Sequence, residues 1–75
     1  MEISPRQSRA ARGLLDWTQD NLATRAGVSL KTVQDFEGER RKPIKVVRAS
    51  IKQAFEQAGV EFFDQDGLRL KRQAQ

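Results

Sequence analysis

Residues 18–37 read TQDNLATRAGVSLKTVQDFE, and their apolar spacing decides the fold. Leu22, Ala23 and Ala26 make one helical stripe, Val33 and Phe36 make a second, and Val28 joins them at a corner. Gly27 separates the stripes and can take the positive φ that ends a helix, while Thr18 and Ser29 stand where a side-chain oxygen caps the helix that follows. Ala23 is small where the second helix crosses the first. The spacing therefore predicts helices over about 19–26 and 30–37 joined by a tight corner, a helix-turn-helix. Helices this short depend on mutual packing more than on propensity. Such a unit presents its second helix outward, which suits insertion into the major groove of DNA.

Upstream, Ser4-Pro5-Arg6-Gln7 has the form of a helix start, with Ser4 as N-cap, Pro5 in the first turn and Gln7 completing a capping box. It predicts a helix from about Pro5 to Leu15 with Ser8, Ala11, Leu14 and Leu15 inward, and with Ile3 and Trp17 closing the two ends of the core. Downstream, Gly38 is expected to stop the 30–37 helix, and Pro43 marks a linker. Val47, Ile51, Ala54, Phe55 and Ala58 then define one face of a helix from about Lys45 to Ala58. Gly59 ends it, with Val60 placed for a Schellman contact against Phe55. Glu61–Asp64 and Leu68–Lys71 flank Asp66-Gly67, which predicts a two-stranded hairpin. A lone hairpin is marginal, so it must dock on the helices or pair with a second subunit. Residues 72–75 are expected to fray. The expected fold is mainly α: four or five helices in a helix-turn-helix domain over 1–60, then a short C-terminal β-hairpin and tail over 61–75. Phe62, Phe63, Leu68 and Leu70 are candidate dimerisation residues.

Composition narrows the function. Seventy-five residues suffice for one small core, and 14 Lys+Arg against 10 Asp+Glu give a net charge of +4, a balance that favours a polyanionic partner yet is common on solvated surfaces. With neither cysteine nor histidine, disulfides, thiolate metal sites and the usual catalytic bases and nucleophiles are unavailable. No Gly-rich phosphate loop and no convergent carboxylate pair is evident, so neither an enzyme, a cofactor nor a metal is expected. The opening MEISPRQSRAAR interrupts every apolar pair with charge, so neither a signal peptide nor a membrane span is expected, and the composition fits the cytoplasm.

Gln19, Leu22, Ala23, Gly27, Val28, Ser29, Thr32, Val33, Phe36, Glu37 and Gly38 together resemble the phage-repressor family of bacterial DNA-binding domains, the XRE or Cro/CI type, over roughly residues 6–60. The resemblance implies an all-helical domain acting as a dimer on a pseudo-palindromic operator, most often to repress transcription. It also implies an ion pair of Arg12 with Glu37. Both of these residues neighbour apolar core positions, Ala11 and Phe36; the plain alternative is two solvated charges.

Helix geometry selects Ser29, Leu30, Lys31, Gln34 and Asp35 as candidate base readers, and the resemblance places the readers at Leu30, Lys31 and Asp35. Lys31 can donate to guanine, Gln34 can pair with adenine, Leu30 can meet a thymine methyl and Asp35 can accept from cytosine. Asp35 departs from the neutral or basic residues usual there, so it either reads a base or repels wrong sites. Arg40, Arg41 and Lys42, in an acid-free run that continues through Lys45, Arg48 and Lys52, are candidate phosphate contacts, as are Thr18, Gln19 and Thr32 near helix starts; Arg48 and Lys52 are equally read as solvated. The competing reading is a protein-binding module on the same fold, antiactivator- or antitoxin-like, which Asp20, Asp35 and Glu39 favour.

Overall fold

A computed structural model of the chain describes residues 2–71; the expectation for residues 72–75 lies outside the described residues. Four helices, α1 (Pro5–Leu15), α2 (Gln19–Ala26), α3 (Leu30–Glu37) and α4 (Lys45–Gln57), precede an antiparallel hairpin of β1 (Val60–Phe63) and β2 (Gly67–Leu70). The fold is the mainly helical one with a C-terminal hairpin that the sequence pattern predicts. Among the described residues no helix is long and apolar enough to cross a membrane.

Local chemistry sets each helix start. Ser4 Oγ accepts from the Gln7 amide and Gln7 Oε1 accepts from the Ser4 amide, a reciprocal box repeated by Thr18 and Asn21 at α2. Ser29 Oγ accepts from the Thr32 amide at 3.1 Å to start α3. Gly27 takes φ 71° at the end of α2, and the Val28 amide reaches back to Ala23 O at 3.0 Å, the six-to-one bond of a Schellman turn.

Three turns differ from their sequence-based expectation. Gly38 stays right-handed at φ −84°; Glu39 takes the left-handed position instead, at φ 59°, and the Arg40 amide bonds to Asp35 O at 2.9 Å. The stop therefore falls one residue late, and glycine at 38 serves space: a Cβ there would lie 3.0 Å from Gln34 O. After α4, Ala58 and Gly59 donate to Phe55 O and Glu56 O in three-residue steps, so the helix tightens rather than closing a Schellman ring, although Val60 is buried as expected. Both strands begin one residue early. The hairpin loop is Asp64–Asp66, with Gln65 and Asp66 left-handed, and Gly67 pairs with Phe63, where a Cβ would stand 3.2 Å from Phe63 Cβ. Glycine is required there by close approach, not by the turn.

Leu22, Val33, Ile51 and Phe55 are fully buried and centre one core that Ile3, Ala11, Ala23, Phe36, Ala54 and Val60 complete. Trp17 stacks on Phe55 at 5.6 Å between centroids, and Phe62 meets the same ring edge-on at 5.9 Å. On α1, Ser8 and Ala11 face inward and Leu15 is half-buried, but Leu14 is 47% exposed. At ~100° per residue Leu14 falls at the rim of that face, beyond Gln7, and Gln7 takes the inward place, buried at 3% exposure. Gln7 Nε2 donates to Phe63 O at 2.7 Å and to Gly67 O at 2.8 Å, which pins the hairpin to α1. Residues 61–71 thus belong to the same core as the helices.

Candidate nucleic-acid interface

The outer surface of α3 follows from what its inner face must do. Val33, Phe36 and Glu37 turn inward, which leaves Ser29, Leu30, Lys31 and Gln34 on the exposed side. The Lys31 side chain is 81% exposed. Ser29 and Thr32 hydroxyls bond each other at 2.8 Å while Ser29 caps the helix, so the Ser29 acceptor is already engaged.

Asp35 does not share that open face. Its side chain is only 16% exposed and lies between Lys31 Nζ at 3.6 Å and Arg40 Nε at 3.8 Å. The late turn at Glu39 places Arg40 there, a return of the chain that helical spacing alone could not foresee. Both charges beside Asp35 are thereby partly neutralised, and its carboxylate orients cations rather than projecting alone.

The basic run splits by role. Arg40, Arg41, Lys42 and Lys45 are exposed, whereas the Arg48 side chain is 13% exposed and bonds Glu2 Oε2 at 2.7 Å through Nη2 and Pro43 O through Nη1. Arg48 holds the N-terminal segment against the linker, and the solvated reading fails for it. Lys52 is likewise half-buried, 3.8 Å from Glu56. The Arg48–Glu2 link joins residues too far apart for local spacing to suggest.

Behind α3 sits a buried polar cluster. The Glu37 side chain is 1% exposed and accepts from Arg12 Nη2 at 2.8 Å, from Arg12 Nε at 3.0 and 3.1 Å, from Gln19 Nε2 at 3.1 Å and from Ser8 Oγ. Burial opposes its ionisation, but hydrogen bonds from Arg12, Ser8 and Gln19 together with the Arg12 charge outweigh burial and hold the carboxyl below its ordinary value of 4.5. Arg12 Nη1 also bonds Trp17 O at 3.2 Å, and Arg9 bonds the Glu37 backbone carbonyl. The cluster ties α1, the start of α2 and the end of α3 into one unit. Its consequence for Gln19 is direct: one amide hydrogen is committed to Glu37. Thr18 Oγ1 likewise accepts from the Asn21 amide at 3.0 Å, although Thr18 itself is exposed. Ser8 was legible only as a core position and Arg9 carried no signal, since a guanidinium seeking a backbone carbonyl leaves no pattern.

The proposed dimerisation residues divide across the hairpin. Phe62 and Leu68 pair in register and pack against the core, leaving Phe63 and Leu70 exposed. Phe63 is partly covered by Arg69, whose guanidinium stands 5.5 Å from the ring centroid while Nε bonds Glu61 at 2.6 Å. The most exposed large apolar side chains lie elsewhere, at Ile44 (69%) and Val46 (65%), where the linker enters α4. No family model matches the chain, and no curated protein matches it.

Proposed function

We propose that the chain is a small double-stranded DNA-binding regulator of the phage-repressor (XRE, Cro/CI) type, reading an operator with α3 in the major groove and acting as a repressor or autoregulator. The observation that carries this reading is the exposed row Leu30, Lys31 and Gln34 on a helix braced from behind by Arg12 and Glu37, directly followed by exposed Arg40, Arg41 and Lys42. Base edges would be met by the row and phosphates by the basic segment. Two copies on one duplex would set their α3 helices about 34 Å apart, and of the four hairpin candidates Phe63 and Leu70 are the two exposed for contact between copies.

Selection of bound sequences from random duplex DNA tests the reading. A two-fold symmetric motif is the expected result, and Arg41→Ala or Lys42→Ala should weaken binding on all sequences while reducing the log–log salt slope by about 1 each. Failure to enrich any motif would refute it. The alternative, a protein-binding module on the same fold, is favoured by the exposed Ile44 and Val46 where the linker enters α4. Under that reading, Ile44→Lys would abolish function while duplex selection returned nothing.

A further inference from the structure

Three features of the turn after α3 converge on Arg40, which the sequence pattern groups with its basic neighbours Arg41 and Lys42. The Arg40 amide bonds to Asp35 O at 2.9 Å, so the chain folds back over the last turn of the helix. Glu39 takes φ 59° at that return, a costly conformation for a residue with a Cβ. Gly38 clears the path, since a Cβ there would stand 3.3 Å from Arg40 Nε and 3.4 Å from its Nη2. Arg40 Nε is thereby brought to 3.8 Å from Asp35 Oδ1. Lys31 Nζ approaches the other oxygen, Oδ2, at 3.6 Å.

Asp35 follows Lys31 by four residues and shares its side of α3. The Asp35 side chain is 16% exposed, whereas those of Lys31 and Arg40 are 81% and 70% exposed. The carboxylate thus forms the floor of a small array, and the two cations form its surface. A guanidinium held through Nε keeps the hydrogens of Nη1 and Nη2 for another acceptor. Phosphate contact needs only reach and charge, but a planar fork braced by a second side chain suits bidentate recognition.

We propose that Arg40 is a base reader, its Nη1 and Nη2 donors directed at O6 and N7 of a guanine in the major groove, with Asp35 as the residue that positions it. The inference rests on the DNA-binding reading and moves Arg40 from the phosphate contacts to the row of Lys31 and Gln34. Asp35 contacts no base, because its two oxygens already face two cations. The same carboxylate weakens the attraction of both cations for phosphate, so binding to unselected DNA falls while guanine is favoured.

The test measures binding of the full chain by anisotropy on the duplex that selection enriches, on versions with each guanine replaced in turn by adenine, and on a scrambled duplex, over a salt series. Arg40→Ala should cost about 5- to 150-fold on the selected duplex, the worth of one bidentate pair. It should also cancel the penalty for replacing one particular guanine, and affect the scrambled duplex far less. Arg40→Lys keeps the charge without the fork and should lose the same preference. Asp35→Asn should lose it too while binding the scrambled duplex more tightly, and should shift the Arg40 Nε resonance of the free, isotopically labelled chain. Arg40 is exposed and asparagine has the shape of aspartate, so these variants should fold. If Arg40→Ala weakens every duplex alike and lowers the log–log salt slope by about 1, or if Arg40→Lys behaves as the native chain does, Arg40 is a phosphate contact; the inference is then overturned while the DNA-binding reading stands. A selection that returns no motif overturns both. An Arg40 resonance unmoved by Asp35→Asn overturns the positioning role of Asp35.

Discussion

Removing Arg12 tests the polar cluster behind α3, because the structure specifies both the size and the pH dependence of the effect. In Arg12→Ala the Glu37 carboxylate, 1% exposed in the native protein, loses its neutralising charge and its three guanidinium bonds and keeps only Ser8 and Gln19. Breaking a buried pair from one side costs about 3–5 kcal/mol, against a total of roughly 4–11 kcal/mol for a domain this size. Urea unfolding followed by circular dichroism at pH 7 should show that loss, and the melting temperature should fall by at least about 12 °C. The sign with pH is fixed by linkage. In the native protein the Glu37 pKa is depressed, so its contribution is present above the ordinary value of 4.5 and is lost as pH falls through the lowered value. In the variant the Arg12 hydrogen bonds and charge that lower the pKa are gone while burial still opposes ionisation, so the pKa is depressed less than in the native protein and less stability remains to be lost on acidification. The gap between native and variant should therefore narrow from pH 7 toward pH 4. Replacing both partners, as Arg12→Met with Glu37→Leu, should cost less than Arg12→Ala alone. A loss under about 1 kcal/mol, or a double variant worse than the single one, would show that the pair behaves as a surface contact and that the reasoning is wrong.

The other expectations concern single elements. Gln7→Ala removes two buried bonds to the hairpin and should cost roughly 2–3 kcal/mol, with hydrogen exchange at Val60 and Leu68 accelerating more than at Leu22; uniform acceleration would count against a local pin. Glu39→Gly relieves a left-handed non-glycine residue and should raise stability by about 0.5–1 kcal/mol, read as a higher urea midpoint at unchanged slope. Asp35→Asn releases Lys31 and Arg40 and should strengthen binding to most duplexes, whereas Lys31→Ala should relax a guanine preference by roughly 1–3 kcal/mol; anisotropy titrations on selected and scrambled duplexes separate the two.

Most of the architecture was legible because it is local. Caps at Ser4, Thr18 and Ser29, the corner at Gly27 and the spacing from Val47 to Phe55 each act within a few residues, and periodicity reads such signals well. Glycine was the weakest guide. Gly38 and Gly67 were read as turn formers, yet both are needed for space, and the left-handed backbone fell to Glu39, Gln65 and Asp66. A turn signal marks where the chain bends but not which residue absorbs the strain. Asp35 was misplaced for a related reason, since the late turn delivers Arg40 to it. Contacts such as Gln7 to Phe63 and Arg48 to Glu2 connect residues far apart in the sequence, and a capping residue with a second, distant task has no sequence signature of its own.

Gln7 also sets an order of events. Its partners Phe63 and Gly67 lie 56 and 60 residues downstream, while α2 and α3 are separated only by a corner. The helix-turn-helix can therefore assemble from neighbouring chain at small entropic cost, but α1 cannot acquire its final bonds until Gly67 has been made. During synthesis the Gln7 amide stays hydrated, and the arrival of the hairpin exchanges that water for Phe63 O and Gly67 O. Ending the chain a few residues before Gly67 would then yield a product whose α2–α3 corner is formed and whose first helix is still unanchored.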